Sequence, residues 1–198
     1  MFVTFEGVDG SGKTTQVELL AAELRAAGRD VVVTREPGGT PLGEAVRELL
    51  LGGATISPWA EAALFAAARA ELVETVIAPA LERGAWVVCD RYLDSSLAYQ
   101  GLARGLGAEE VLELNLRVTG GLLPDRTFVL LVDAGESERR VGPDGDRIER
   151  EGGSFRERVA AAYSALAERF PDRIVALDGR RPVDDVARAV RENLGAHV

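Results

Sequence analysis

Five short apolar runs alternate along the chain with segments whose apolar residues recur every three or four positions. The runs are rich in Val, Ile, Leu and Phe without polar alternation, which is typical of strands covered on both faces. They occupy residues 2–5, 31–34, 85–89, 127–132 and 173–177. The longer segments have the spacing of helices and are bounded by Gly, Pro or Ser. Helices are predicted over 15–27, 41–51, 57–77, 94–101, 108–118, 136–141, 154–170 and 182–194.

Strands that alternate with helices predict a parallel sheet with helices on both faces. We therefore expect an α/β fold in three α/β/α layers, with five parallel strands in a single domain over residues 1–198. We see no internal repeat, low-complexity tract or linker that would divide the chain.

Composition narrows the function classes. The net charge of −9 argues against broad electrostatic binding to nucleic acid. No apolar stretch is long enough to span a membrane, and the N-terminus lacks the pattern of a signal peptide, so we expect a cytoplasmic protein with no membrane partner. The single cysteine, Cys89, lies in an apolar run and is expected in the core.

The first strand and first helix are joined by Gly-Val-Asp-Gly-Ser-Gly-Lys-Thr, residues 7–14. Gly7, Gly12, Lys13 and Thr14 have the spacing of a phosphate-binding loop, and a strand before it with a helix after it is the required context. The glycines let backbone N–H groups approach phosphate oxygens at the start of a helix. Lys13 would contact the β- and γ-phosphates and Thr14 would bind magnesium. Lys13 is also the only lysine among 23 basic residues.

Charged residues follow two other strands, where parallel sheets bind ligands. Arg35 follows the second strand, and Asp90-Arg91-Tyr92 follows the third. Asp90 would hold magnesium together with Thr14, directly or through water, and Arg91 would hold a second phosphate group.

Phe65 and Arg69 lie four positions apart on the third predicted helix, so they share a face. A ring and a guanidinium on one face are able to stack on a flat heterocycle and to bind its edge. Taken alone, the pair is more typical of a core phenylalanine with a solvent-facing arginine.

Residues 139–153 are rich in glycine and charge and are interpreted as a lid. The arginines of this segment are Arg139, Arg140, Arg147 and Arg150. A solvated loop with paired surface charges is an equal alternative.

Four motifs in this order resemble those of the thymidylate kinase family: FEGVDGSGKTT at 5–15, TREPGGT at 34–40, DRY at 90–92 and DRIE at 146–149. The resemblance spans almost the whole chain. It implies transfer of the γ-phosphate of ATP to thymidine monophosphate (dTMP) with magnesium, in dTTP biosynthesis, by an enzyme that is usually a homodimer.

The resemblance also implies roles for the acceptor residues. Asp9 would contact the 3′-hydroxyl, Phe65 would stack on the base, and Arg69 would bind its edge. Tyr99 would crowd the 2′ position and disfavour ribose. The remaining residues implied at dTMP are Arg35 and Arg91 at its phosphate, Ser96 near the base, and Ser95.

On the ATP side the resemblance implies the loop around Lys13 and the segment Asp178-Gly179-Arg180-Arg181 near adenine. Some family members carry an arginine in the loop, where this chain has Gly10. In members that lack this loop arginine, arginines of the lid are implied to supply the positive charge at the transition state, and Arg147 is the first candidate here. The residues implied at ATP are Gly7, Gly10, Ser11, Gly12, Lys13, Thr14, Thr15, Arg139, Arg140, Arg180 and Arg181.

Two alternatives stay open at this point. One is a kinase for another nucleoside monophosphate or a deoxynucleoside, which would change the roles of Phe65, Arg69 and Tyr99. The other is a nucleotide-dependent switch. A GTP-binding switch would need an Asn-Lys-x-Asp element, which a chain with Lys13 as its only lysine lacks.

Overall fold

A computed structural model describes residues 1–53, 55–141, 147–148 and 151–195. Its centre is one parallel sheet with the strand order β2-β3-β1-β4-β5. The five predicted strands and their parallel arrangement are confirmed. Their bounds are β1 Phe2–Glu6, β2 Val31–Arg35, β3 Trp86–Asp90, β4 Arg126–Leu131 and β5 Ile174–Asp178.

Helices lie on both sides of the sheet. The predicted helix at 57–77 extends further, because a π-helical segment, Val73–Ile77, joins it to a short helix ending at Glu82. A second π-helical segment, Leu97–Ala103, continues the short helix after β3. The described helices are α1 Lys13–Ala26, α2 Pro41–Leu51, α3 Pro58–Leu72, α4 Ala78–Glu82, α5 Leu93–Ser96, α6 Ala108–Val118, α7 Ala134–Val141, α8 Gly153–Arg169 and α9 Val183–Leu194.

The central strands are buried on both faces, as their uninterrupted apolar sequences require. On β1, Phe2 belongs to a cluster that includes residues of α8, whereas Val3 and Phe5 belong to a cluster with residues of α1 and α9. A third buried cluster joins α2 and α3. No helix within the described ranges is long and apolar enough to cross a membrane.

Several of the predicted site residues lie at the carboxyl ends of neighbouring strands. Asp90 at the end of β3 pairs in register with Arg35 of β2 and with Phe5 of β1. The loop that follows β1 leads directly into α1. Parallel strands therefore bring segments that are about eighty positions apart in sequence to one edge.

Candidate active site

The glycines of the loop after β1 adopt positive φ angles, which residues with a side chain rarely adopt. Gly7, Gly10 and Gly12 have φ values of 136°, 74° and 96°. A Cβ on Gly7 would lie 2.6 Å from the carbonyl oxygen of Leu130 on β4, so the loop approaches the neighbouring strand too closely for a side chain. The glycine pattern thus has the conformational basis expected of a phosphate-binding loop.

Lys13 begins α1 and is only 6% exposed. Its Nζ donates a hydrogen bond to the carbonyl oxygen of Val8 at 2.9 Å and lies 3.9 Å from Oδ1 of Asp9. Burial and the nearby positive charge of Arg91 lower the Lys13 pKa to about 8. The loop also holds the buried hydroxyl of Ser11, which has no partner among the described residues. A cation and an unpaired hydroxyl suit a bound phosphate.

Thr14 and Asp90 lie together at the start of α1. The Thr14 hydroxyl donates a 2.6 Å hydrogen bond to Oδ2 of Asp90. A hydroxyl and a carboxylate supply the oxygen atoms that magnesium prefers. In the described part of the chain, no three His, Cys, Asp or Glu side chains cluster as a metal site. Any magnesium here would therefore need water or phosphate oxygens as further ligands.

An ion pair joins this loop to a second binding region. Arg91, directly after β3, pairs through Nη2 with Oδ1 of Asp9 and donates through Nη1 to the Gly7 carbonyl oxygen at 2.8 Å. Burial opposes ionisation of Asp9, but Arg91 and Lys13 together outweigh that effect and lower the Asp9 pKa. Asp9 is therefore an anion held between two cations.

A cleft of about 590 Å³, part of it open to solvent, adjoins the Asp9–Arg91 pair. Half-buried Phe65 of α3 lines the cleft, and the Tyr99 hydroxyl donates to Oδ2 of Asp9 at 3.4 Å. Six of the predicted dTMP residues are brought together here: Asp9, Phe65, Arg91, Ser95, Ser96 and Tyr99.

Arg69 does not line this cleft with the other predicted residues. It is 1% exposed, and its guanidinium binds the Glu36 carboxylate, the Asn115 side chain, the Tyr92 carbonyl oxygen and the Ser96 hydroxyl. All five of its N–H donors are engaged. Arg69 thus reaches the cleft only through partners such as Ser96 and Glu36, and direct binding to a base stays a prediction.

Arg35 also has a partner outside the cleft. Its Nη2 donates to both carboxylate oxygens of Glu44, at 2.9 and 3.1 Å, and its side chain is 55% exposed. Glu44 additionally accepts the backbone N–H of Gly39 at 2.9 Å. In this arrangement Arg35 stabilises the loop after β2, and its contact with an acceptor phosphate stays a prediction.

Arg147 binds residues of α2 and α3. Its Nε donates to the Leu50 carbonyl oxygen at 2.8 Å, and its Nη2 pairs with Glu61. Glu61 is fully buried and also accepts hydrogen bonds from Gln100 and Arg104. Burial opposes ionisation of Glu61, but these donors outweigh it and lower the Glu61 pKa. Arg147 is therefore held by the Glu61 carboxylate, and its role in supplying positive charge at the transition state stays a prediction.

The other lid arginines divide between two positions. Arg140 on α7 donates to the carbonyl oxygens of Gly10 and Gly179, both at 3.2 Å, so it bridges the phosphate loop and the segment after β5. Arg139 is exposed and pairs with Glu136. Arg150 and the predicted lid residues 142–146 and 149 lie outside the described residues, as do Asp146 and Glu149 of the DRIE motif.

The predicted adenine segment borders a second cleft, at the carboxyl ends of β4 and β5. Asp178 and Arg180 line it together with Asp133. Arg180 donates to both oxygens of Asp178, and Arg181 lies 3.6 Å from Asp185. Both arginines are exposed at this edge. Their contact with ATP stays a prediction.

Three polar side chains of the cleft beside Asp9 were not predicted from the sequence: Glu36, Arg47 and Gln100. Oε1 of buried Glu36 has no hydrogen-bond partner in the described structure, and burial raises the Glu36 pKa even though Arg69 opposes that effect. Glu36 lies in the Arg-Glu-Pro-Gly-Gly motif and Gln100 in a polar segment, so both had a local signal. Arg47 lies within an ordinary amphipathic helix and had none.

The chain is similar to known proteins over almost its whole length. Residues 5–190 match the family model described as Thymidylate kinase. The thymidylate kinase of Bifidobacterium longum strain DJO10A is 51% identical over 98% of this chain and 97% of its own. That of Thermomicrobium roseum is 52% identical over 96% and 91%. The crystal structure of thymidylate kinase from Ehrlichia chaffeensis superposes with a TM-score of 0.81 at 35% identity, covering 98% and 97% of the two chains.

Proposed function

The chain belongs to the thymidylate kinase family, and we propose that the residues described above transfer the γ-phosphate of ATP to dTMP, giving thymidine diphosphate. The chain is accordingly a phosphotransferase. The observation that carries the assignment of roles is the Asp9–Arg91 pair, because Asp9 belongs to the phosphate-binding loop and lines the acceptor cleft. One carboxylate thus borders both nucleotide sites.

The donor would bind along the loop, with its β- and γ-phosphates against Lys13 and the backbone N–H groups of residues 7–15. Arg140 already contacts this loop, and Arg180 and Arg181 would border the adenine. The Lys13 side chain needs only to exchange the Val8 carbonyl oxygen for a phosphate oxygen. Phosphate contact would restore its full positive charge.

The acceptor would lie in the cleft beside Asp9. Arg91 would hold its phosphate, which attacks as an anion and needs no strong general base. Phe65 would stack on the base, Ser95 and Ser96 would contact the nucleotide, and Tyr99 would occupy the space of a ribose 2′-hydroxyl. Arg69 would bind the base edge if one of its N–H groups exchanged a protein partner for it.

Magnesium fits the donor set of Thr14 and Asp90, which would hold it at the phosphates and let it neutralise their charge. The protein's own contribution is alignment of two nucleotides and fixed positive charge around the moving group. Arg147 would add to that charge after leaving Glu61, and closure of the segment around 139–153 would exclude water.

A homodimer in the cytoplasm is part of the same proposal. Trp59 at the start of α3 is 50% exposed, and Leu49 on the neighbouring α2 is 60% exposed. Large exposed apolar side chains on two helices that contact each other are typical of an interface between subunits. Light scattering coupled to gel filtration would give twice the 21.1 kDa chain mass if this is correct.

The experiment that tests the proposed function follows the label of γ-³²P-ATP into nucleotide products, with magnesium and dTMP present. Wild type is expected to give labelled thymidine diphosphate, and Lys13→Ala is expected to give none above background while unfolding normally with temperature. Arg188→Ala, which removes an exposed cation on α9, is the matched control. Normal transfer by Lys13→Ala would refute the assigned chemistry.

A further inference from the structure

Glu6, the last residue of β1, is a carboxylate with no access to solvent. Its Oε1 accepts the backbone N–H of Tyr92 at 2.8 Å. Its Oε2 accepts the hydroxyl of Ser95 at 2.6 Å and the hydroxyl of Tyr163 at 3.1 Å. Burial raises the pKa of Glu6 to about 7, while the hydrogen bonds from Ser95 and from the Tyr92 backbone N–H oppose that rise by stabilising the ionised form.

The two hydroxyls that Glu6 binds are also partners of Arg91. Nη1 of Arg91 donates to the Tyr163 hydroxyl oxygen at 3.1 Å and to the Ser95 hydroxyl oxygen at 3.2 Å. A hydroxyl has one hydrogen and two lone pairs. With the hydrogens of both hydroxyls directed at the carboxylate, the lone pairs of each hydroxyl face the guanidinium, and the two hydroxyl oxygens lie 3.0 Å from each other. Glu6 therefore orients both acceptors beneath Arg91.

The backbone around Arg91 is held by the same strand end. Arg91 has a φ of 70°, in the left-handed region that disfavours residues other than glycine. Its own N–H donates to the Phe5 carbonyl oxygen at 2.9 Å, and the next N–H, that of Tyr92, donates to Glu6. The turn that carries Arg91 is thus fixed on both sides by consecutive residues of β1.

We propose that Glu6 is a positioning residue for Arg91: through Ser95, Tyr163 and the Tyr92 N–H it holds the guanidinium in the direction that meets the acceptor phosphate. The inference rests on the proposed function, which places the dTMP phosphate at Arg91. Glu6 acts through other groups and does not contact the nucleotides. Tyr163, on α8 and 1% exposed, transmits the restraint from a helix that is distant in sequence from both Glu6 and Arg91.

The chemistry of the carboxylate matters more than its volume. In Glu6→Gln an NH₂ group replaces one carboxylate oxygen. If it replaces Oε2, the Ser95 and Tyr163 hydroxyls lose their acceptor; if it replaces Oε1, the Tyr92 N–H loses its acceptor. Tyr163→Phe removes one hydroxyl and leaves the other two bonds of Glu6 in place. Both variants keep the shape of the side chain, and neither removes a group that touches a nucleotide.

The test is steady-state kinetics of ADP formation with dTMP and ATP varied separately, together with thermal unfolding. Glu6→Gln is expected to raise the KM for dTMP about tenfold or more and Tyr163→Phe about threefold, with the KM for ATP within about twofold of wild type. Because both act through Arg91, the double variant is expected to resemble Glu6→Gln, without multiplication of the two effects.

Thr4→Val is the control for a purely structural effect. Thr4 is buried on the same strand, and its hydroxyl bonds only Thr127 in the described structure, at 2.8 Å. This variant is expected to lower the Tm without changing either KM. If Glu6→Gln does not fold, the KM for dTMP of Tyr163→Phe tests whether this hydrogen-bond network positions Arg91. An unchanged KM for dTMP in Tyr163→Phe would overturn the proposal.

The wild-type assay separates the two kinds of failure. No turnover of dTMP by wild type would refute the proposed function and the positioning role with it. Normal wild-type turnover, with variants that lose stability but keep the KM for dTMP, would refute only the role of Glu6. An equal rise in the KM values for both nucleotides would also contradict it, because Glu6 would then act on the whole site.

Discussion

Lys13 is a buried cation whose charge depends on its surroundings near physiological pH. Burial and Arg91 lower its pKa to about 8, while Asp9, Asp90 and Glu6 oppose that shift. Phosphate oxygens of a bound nucleotide would favour the charged form and return the pKa toward its ordinary value. We therefore predict that nucleotide binding takes up a proton at Lys13, and that the uptake grows with pH.

The size of the effect follows from the pKa of about 8. At pH 7 about nine in ten free molecules already carry the proton, so binding takes up about 0.1 proton. At pH 8.5 only about a quarter carry it, and the uptake rises to about 0.75 proton. Protonating Lys13 at pH 8.5 costs about 0.8 kcal/mol, which weakens binding about fourfold.

Isothermal titration calorimetry with a non-hydrolysable ATP analogue and magnesium measures this directly. Titrations at pH 7 and 8.5, each in two buffers of different ionisation enthalpy, give the number of protons exchanged. Lys13→Arg is the matched reference, because arginine stays charged over this range while the nucleotide's own protonation is unchanged. Equal proton exchange by wild type and Lys13→Arg at pH 8.5 would refute the reasoning.

Other side chains give separate predictions. Phe65→Ala is expected to raise the KM for dTMP about 5- to 150-fold with the KM for ATP unchanged, from a stacking free energy of about 1–3 kcal/mol; unaltered KM values would remove the ring from the base site. Arg147→Ala should lower the rate constant of phosphoryl transfer, measured in single-turnover assays, about a hundredfold or more, and an unchanged rate constant would move its role to another arginine. Tyr99→Ala should narrow the preference for deoxyribose over ribose acceptors, and identical discrimination would exclude a steric role. Arg69→Ala leaves Glu36 buried without its cation and should lower the free energy of unfolding by about 3–5 kcal/mol in urea titrations, whereas a loss below about 1 kcal/mol would contradict the buried pair.

The fold and the phosphate loop could be predicted because their signals are local. Strands covered on both faces show unbroken apolar runs, and the loop needs Gly7, Gly10 and Gly12 at backbone angles that other residues avoid. The position of Asp90 beside Thr14 also followed from sequence, because the carboxyl ends of parallel strands meet at one edge.

The partners of the arginines could not be predicted in the same way. Arg69 and Arg147 each bind a buried carboxylate, Glu36 and Glu61, that lies far away in sequence. Charge pattern alone does not distinguish such a pair from a free cation aimed at a ligand, since the sequence shows a single arginine in both cases. Likewise, the sequence motif that contains Glu6 indicates the end of a strand, but it does not indicate which groups form hydrogen bonds with the Glu6 carboxylate.

The central claim is that one chain aligns ATP with a thymine deoxynucleotide. A coupled assay of ADP formation with ATP, magnesium and a panel of nucleoside monophosphates tests it most directly. We expect strong turnover with dTMP and little with uridine or cytidine monophosphate. Preference for a different acceptor would keep the phosphate-loop chemistry but contradict the roles of Phe65, Arg69 and Tyr99, and ATP binding without turnover of any acceptor would contradict the account as a whole.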